Sequence, residues 1–370
     1  MNKKKNIIIV AGEESGDMYG SDIINNFSNN KNIKFYAMGL NKIKNTNAEI
    51  LVDSSSLSVV GFYEVLKIYP RLLKSLNIMK KSIDRVKPDL LVLIDYQEFN
   101  MRLAKYAKSK GIKTLFYIGP QVWAWREKRI KSIKKFIDVM AVIFPFEQKY
   151  YQNQGIKSYY VGHPLIKNNL YKEENNKNKE YIGFFPGSRV NEVNKHLPII
   201  KEIINDIHKS HPKEKFLISK STNIDKSFYD SFFSKKNYIK ILENENIYNT
   251  IDLCKIALAA SGTITLQIAL KKVPMCVFYK LSSFTFFLAK FLVKAKFISL
   301  VNIILNEKIV NEFIQKEATS INITKELIKL IDNENYRNNF IKKFDLLEKK
   351  LINKNPKDDI NNLIKSMIQV

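Results

Sequence analysis

Five loops in this chain break from an apolar run into small and polar residues, the pattern by which a parallel sheet builds binding sites beyond the carboxyl ends of its strands. The first reads Ala11-Gly-Glu13-Glu-Ser15-Gly16-Asp17. Its glycines permit a tight turn, Ser15 or Asp17 can cap a following helix, and its amides can face a polar ligand. A plain strand-to-helix turn has the same composition, and the loop is neither a GxGxxG fingerprint nor a Walker loop. In the second, Asp95 closes the apolar run from Leu90 and is followed by Glu98 and Asn100. Partial desolvation at a strand end raises a carboxylate toward use as a general base, although a helix-capping role fits the same position. The third loop carries both tryptophans of the chain, Trp123 and Trp125, after Gly119-Pro120 and before Arg126 and Arg129; such aromatic faces can stack on the C–H face of a pyranose. The fourth, Phe185-Pro-Gly187-Ser188-Arg189 followed by Glu192, offers close backbone approach, Ser188 as a natural N-cap, and Arg189 beside a helix N-terminus. The fifth is Ala260-Ser261-Gly262-Thr263. Each of these last two is generic, but together they describe a cradle for a nucleotide diphosphate.

Strand-like runs at 6–10, 33–38, 89–95, 114–118, 139–143 and 158–161 alternate with helix-like stretches, among them 21–27 and 64–86. A second set at 181–185, 215–219, 239–241, 256–260, 274–279 and 299–302 follows a Lys/Asn/Glu-rich segment without periodicity, with helical stretches at 191–209, 321–332 and 335–369. The alternation predicts βαβ units and parallel sheets, hence an α/β protein of two doubly wound domains. The expected boundaries are 1–165 for the first domain, 166–179 for a linker, 180–345 for the second domain and 346–370 for a C-terminal helix.

The 370 residues are 45% apolar and 26% charged, which excludes collagen, disordered tails and disulfide-built miniproteins. Cys254 and Cys276 form no CxxC or Cys/His cluster, so no metal site is expected and a reducing cytoplasm fits. No apolar run is long enough for a membrane-spanning helix, and the basic start followed by Ile7 to Val10 reads as a buried strand rather than a signal peptide. The net charge of +25 calls for an anionic partner, yet only seven of the 61 basic residues are Arg, and a general Lys/Asn/Ile bias explains part of the excess. With so few Arg forks for base reading, nucleic acid is not expected as a partner. His196, His208 and His211 read as residues of an exposed helix, and His163 as a hinge or structural residue no less than a catalytic one. Phe284, Phe287, Leu288, Phe291 and Leu292 recur at helical spacing, with Lys290 and Lys294 on another face. That is the pattern of an interfacial helix on an anionic bilayer, and equally of a core helix; residues 65–83 form a similar candidate.

Taken together, the loops resemble those of the lipid-A-disaccharide synthase family, inverting glycosyltransferases of the GT-B fold. The matching pieces are the 11–17 loop, Gly61-Phe-Tyr-Glu64, Asp95 with Phe99-Asn100, Val122-Trp-Ala-Trp-Arg126, Pro145-Phe-Glu147, Gly162-His163-Pro164, the 185–193 and 260–263 loops, Ile298-Ser-Leu-Val-Asn302, and Glu312-Phe-Ile-Gln315. The resemblance implies two Rossmann-like domains facing across a cleft. It also implies transfer of 2,3-diacylglucosamine from its UDP derivative to 2,3-diacylglucosamine 1-phosphate, without a cofactor. On that reading Asp95 is the general base and Arg189 steadies the leaving group. Gly187, Ser188, Ser261, Gly262, Thr263, Gln267, Asn302, Glu312 and Gln315 bind UDP. Glu13, Ser15, Gly16, Asp17, Glu98, Trp123, Trp125 and Arg126 lie on the acceptor side. It further implies a cytoplasmic enzyme held peripherally at the inner membrane of a Gram-negative-type bacterium, with the 284–294 stretch as the membrane contact, and a homodimer as one arrangement.

The chain departs from the family pattern at four places. Glu98 stands where Asp is usual, Gln267 where an acidic residue is common, Gly119-Pro-Gln replaces Ser-Pro-Ser before Val122-Trp123, and Val301 replaces a proline. Two other readings compete. One is a different UDP-sugar enzyme of the same fold, such as a polyprenyl-linked transferase or a 2-epimerase, which a requirement for acylated substrates would separate. The other is a non-catalytic polyanion- or membrane-binding protein, whose mark is salt-sensitive binding without turnover.

Overall fold

The computed structural model describes residues 4–55, 62–123, 127–167, 170–172, 178–222, 224–233, 236–243, 246–280, 296–352 and 359–369, with side chains undescribed at 62–68, 127, 167 and 170. The chain divides into two units, Met1–Pro164 together with Asn353–Val370, and Leu165–Ile352.

In the first unit, strands β1 (Lys5–Ala11), β2 (Ile33–Gly39), β3 (Glu49–Asp53), β4 (Leu90–Ile94), β5 (Lys113–Tyr117), β6 (Val139–Val142) and β7 (Ser158–Tyr160) form one parallel sheet in the order β3-β2-β1-β4-β5-β6-β7. Helices α1 (Glu14–Asn26), α2 (Asn41–Lys44), α3 (Phe62–Val86), α4 (Gln97–Ser109), α5 (Ile130–Phe136) and α6 (Pro145–Asn153) connect them. Covered on both faces, the central strands are apolar throughout, and Ile7 to Val10 and Leu90 to Ile94 are fully buried. The two-residue side-chain period then divides each strand between two cores. Ile8, Val10, Leu91 and Leu93 meet Leu76, Met79 and Ile83 of α3 and Leu103 of α4. Ile7, Ile9, Leu90, Val92 and Ile94 meet Ile23 and Ile24 of α1 and a helix from the far end of the chain.

In the second unit, β8 (Tyr181–Phe185), β9 (Lys215–Ser219), β10 (Ile239–Leu242), β11 (Cys254–Ala260), β12 (Met275–Tyr279) and β13 (Glu312–Ile314) run parallel in the order β10-β9-β8-β11-β12-β13. They alternate with α8 (Val190–Ser210), α9 (Lys226–Asp230), α10 (Ile247–Ile251), α11 (Thr263–Leu270), α12 (Leu300–Leu305) and α13 (Ser320–Asp332), after a short α7 (Pro164–Lys167). Helix α14 (Glu334–Leu351) closes this unit, and α15 (Ile360–Ile368) belongs to the first.

Both sheets are doubly wound α/β, as the alternation of patterns predicts. Three local expectations differ. Residues 299–302, expected as a strand, lead into α12, because the Ser299 hydroxyl accepts the Val301 amide and caps a helix; a short apolar run cannot by itself separate a strand from a buried helix. The continuous helical stretch over 335–369 is two helices: the first ends at Leu351, and Asp359 caps a new one through the Asn361 amide. The histidines of α8 are not on an exposed face. His196 is fully buried, and His208 stacks on Tyr238 with ring centroids 3.7 Å apart.

Helix α15 packs Ile360, Leu363, Ile364 and Ile368 onto the β1/β4 face. Ile364→Ala empties a fully buried site and is expected to cost about 2–4 kcal/mol, seen in urea unfolding as an earlier midpoint for the first unit's transition.

Candidate active site

Each sheet has one topological switch point, where the strand order reverses and neighbouring loops diverge. In the first unit it lies between β1 and β4. Ala11 pairs with Ile94, so Gly12 and Asp95 open the two loops side by side. Asp95 and Tyr96 both adopt left-handed backbone, φ 48° and 43°, which costs non-glycine residues of order 1–3 kcal/mol each. Asn100, fully buried in the first turn of α4, holds this turn: its Nδ2 donates to the carbonyls of Ile94 at 3.1 Å and Asp95 at 2.7 Å. The Asp95 amide donates to the Tyr117 carbonyl at 3.2 Å. The Tyr96 ring occupies the space beside Gly12, where a Cβ would lie 2.4 Å from it.

Burial pushes the Asp95 carboxyl from the usual 3.8 up to about 6; the negative charge of Glu13 adds to the rise, and a hydrogen bond from the Tyr96 amide partly opposes it. Glu13 and Ser15 are exposed at the start of α1, and Gly16 is buried against Ala11 and Ile94. Asp17 faces elsewhere. Its carboxylate accepts the amides of Leu40 at 2.6 Å, Lys42 at 2.8 Å and Ile43 at 3.3 Å, and so caps α2. Glu98 is ion-paired with Arg129, whose guanidinium also donates to Gln97 at 2.9 Å. The Trp123 indole donates to Glu147 Oε1 at 2.9 Å and meets Phe146 edge-on. Burial pushes Glu147 up to about 7, although the Trp123 indole and the Phe144 amide hydrogen-bond to it. Trp125 and Arg126 lie outside the described residues. Burial depresses His163 to about 4, and it packs beside Phe144.

The second unit repeats the plan between β8 and β11. Gly187 has φ 108°, and a Cβ there would meet Glu192 Oε2 at 2.9 Å. Ser188 does not cap α8; the capping position is Arg189, whose carbonyl accepts the amides of Glu192 and Val193. The earlier amides of the first turn have no intrahelical partner and carry the helix's partial positive charge. The Arg189 guanidinium donates to Glu192 Oε1 at 3.0 Å, to which the Tyr279 hydroxyl also donates at 2.8 Å. Across the switch point, Ser261 donates to the Ile298 carbonyl, Gly262 (φ 154°) precedes α11, and Thr263 begins it exposed. Gln267 is half-buried one turn further on. Asn302 and Glu312 are bonded to each other and to backbone: Glu312 accepts the amides of Ile298 and Ser299 and the Asn302 carboxamide at 2.8–3.0 Å, while Asn302 also engages the chain at 309–310. The geometry gives this pair the task of shaping the loop from 298 to 312. Gln315, left-handed at φ 52°, donates its amide to Tyr279 just past the end of β13. Residues 284–294 lie outside the described residues.

Three participants carried no role in the sequence reading. Asn100 and Glu147 sit within motif fragments, and the only signal was a polar residue in an apolar setting; His196 was masked by the charged residues around it.

Residues 7–361 match the profile of the lipid-A-disaccharide synthetase family. The lipid-A-disaccharide synthase of Coxiella burnetii (strain CbuG_Q212) is 35% identical over 98% of this chain and 99% of that protein. The chain belongs to the lipid-A-disaccharide synthetase family. It is therefore a glycosyltransferase of lipid A biosynthesis. Among solved structures it is similar to UDP-GlcNAc 2-epimerase from Neisseria meningitidis bound to UDP-GlcNAc (TM-score 0.62, 11% identity, 99% of this chain and 100% of that one) and to Acinetobacter baumannii MurG (TM-score 0.58, 11% identity, 99% of each). At such identities the likeness is of fold, the GT-B fold of two Rossmann-like domains.

Gly187→Ala adds a methyl group to a left-handed backbone position and presses it on Glu192. Expected is a loss of about 1–3 kcal/mol in chemical denaturation.

Proposed function

We propose that this enzyme joins UDP-2,3-diacylglucosamine to 2,3-diacylglucosamine 1-phosphate, with inversion at the donor's anomeric carbon. The acceptor's 6-hydroxyl gives its proton to Asp95 as its oxygen bonds to that carbon. The bond from the carbon to the diphosphate breaks, and UDP and the β-1,6-linked disaccharide 1-phosphate leave. The observation carrying this reading is the Asp95 carboxylate, held at a switch point on a strained turn and raised to about 6: ionised at neutral pH, yet basic enough to accept a proton. Arg189 and the N-terminus of α8 supply positive charge where the leaving diphosphate gains negative charge. Trp123 and the Glu13 loop serve the acceptor.

Both substrates are acylated in this reading, so the reaction belongs at a bilayer surface. Among the described residues no helix is long and apolar enough to cross a membrane. Helix α3 does expose Tyr69 and Leu73 (45% and 38%) beside Arg71 and Lys74, an arrangement suited to anionic headgroups, each cation contributing about 1 kcal/mol. The 284–294 stretch is the second proposed contact. Tyr69→Glu with Leu73→Glu should reduce cosedimentation with phosphatidylglycerol vesicles several-fold while leaving UDP affinity unchanged.

The test of the chemistry is disaccharide formation from the two substrates in detergent micelles. Asp95→Asn is expected to lower kcat/KM by about 10²–10⁴. In the wild type an acid limb should fall as pH drops through about 6. Glu13→Gln removes a neighbouring negative charge, so Asp95 loses its proton more readily and the limb moves to lower pH. Turnover that survives Asp95→Asn would assign the base to another carboxylate.

A further inference from the structure

We propose that His196 is a positioning residue of the donor site, fastening the diphosphate loop to the end of β12 through both ring nitrogens. The inference rests on the reading that residues 186–189 hold the leaving diphosphate. His196 Nδ1 lies 2.7 Å from the carbonyl of Pro186, which opens that loop, and Nε2 lies 3.2 Å from the amide of Lys280, which follows β12. A carbonyl can only accept and an amide N–H can only donate, so the partners dictate the tautomer: Nδ1 carries the proton and Nε2 the lone pair. A charged imidazolium would set one N–H against another. Burial also lowers the ring's pKa, and of the charged groups facing it Glu192 opposes that change while Lys195 and Lys280 reinforce it.

A core histidine that merely fills space needs neither bond, and this one spans two separate pieces of the sheet's carboxyl edge. One turn earlier on the same face of α8, Glu192 takes Arg189 from the loop and the Tyr279 hydroxyl from the end of β12. Residues 192 and 196 thus tie the same two segments twice, once through side chains and once through backbone. The ring also lies against Phe278, centroids 4.5 Å apart, which fixes its plane. With Pro186 held, the backbone amides that follow are held in place, and charge stabilisation at a leaving group depends steeply on placement.

The experiment compares His196→Leu, which keeps bulk but neither bond, with His196→Asn, whose amide can reach Pro186, and His196→Gln, whose oxygen can reach the Lys280 amide. UDP affinity of the full-length enzyme is read by calorimetry, and kcat and donor KM by disaccharide formation. His196→Leu should weaken UDP about tenfold and lower kcat, His196→Asn should recover most of the affinity, and His196→Gln less. Equal UDP affinity and turnover across the wild type and the three variants would overturn the proposal, as would a loss confined to melting temperature. Should His196→Leu fail to fold, the Asn-against-Gln order decides alone. Arg189→Ala separates the two layers of argument: unchanged UDP affinity there removes the diphosphate-loop reading and this inference with it. A tenfold loss there beside unaffected His196 variants removes the inference only.

Discussion

A parallel sheet wound outward in both directions from one strand has a single place where the connections leave toward opposite faces, and the site loops of this protein are arranged around that constraint. In the first unit the place is the β1/β4 seam, in the second the β8/β11 seam. The backbone plan is the same in both and the loops differ. One seam carries a carboxylate, Asp95, raised by burial and by the nearby charge of Glu13. The other carries a glycine turn, a helix N-terminus and an arginine, fit to neutralise an anion. One architecture thus carries two sets of loop residues of different chemical character.

The strand ends are where the molecule accepts unfavourable local states. The turn at Asp95 and Tyr96 is left-handed twice in succession, and a half-buried carboxylate sits in it. Neither would persist in an isolated peptide. They persist because Asn100 satisfies two carbonyls of the turn, Gly12 makes room for an aromatic ring, and the fully buried runs of β1 and β4 hold the strands on either side. Asp95 therefore holds an unfavourable local state at a cost in stability, and Asn100 makes its position tenable.

Much of this was legible in the sequence, for identifiable reasons. Uninterrupted apolar runs such as 7–10 and 90–94 mark buried parallel strands, and the small-polar loops after them mark the carboxyl edge. What escaped was set by tertiary contact. The edge strands β3 and β13 are short and half-exposed, with charged residues such as Glu49 and Glu312 in them, so no apolar run announces them. Asp17 read as a cap for the helix that follows it; only the fold reveals that it caps α2 instead, through amides more than twenty residues downstream. His196 lies between Lys195 and Leu197, and its burial comes from β12, more than seventy residues downstream, which no local pattern records.

The return of α15 to the first unit has a consequence for how the polypeptide is made. The second unit is an insertion within the first, so the ribosome must finish all of it before the helix that covers Ile7, Ile9 and their neighbours emerges from the exit tunnel. At ordinary synthesis rates that interval is roughly tens of seconds. Throughout it the nascent amino-terminal half presents part of its aliphatic face without the α15 cover, the kind of surface chaperones bind, and its folding is complete only once α15 has emerged.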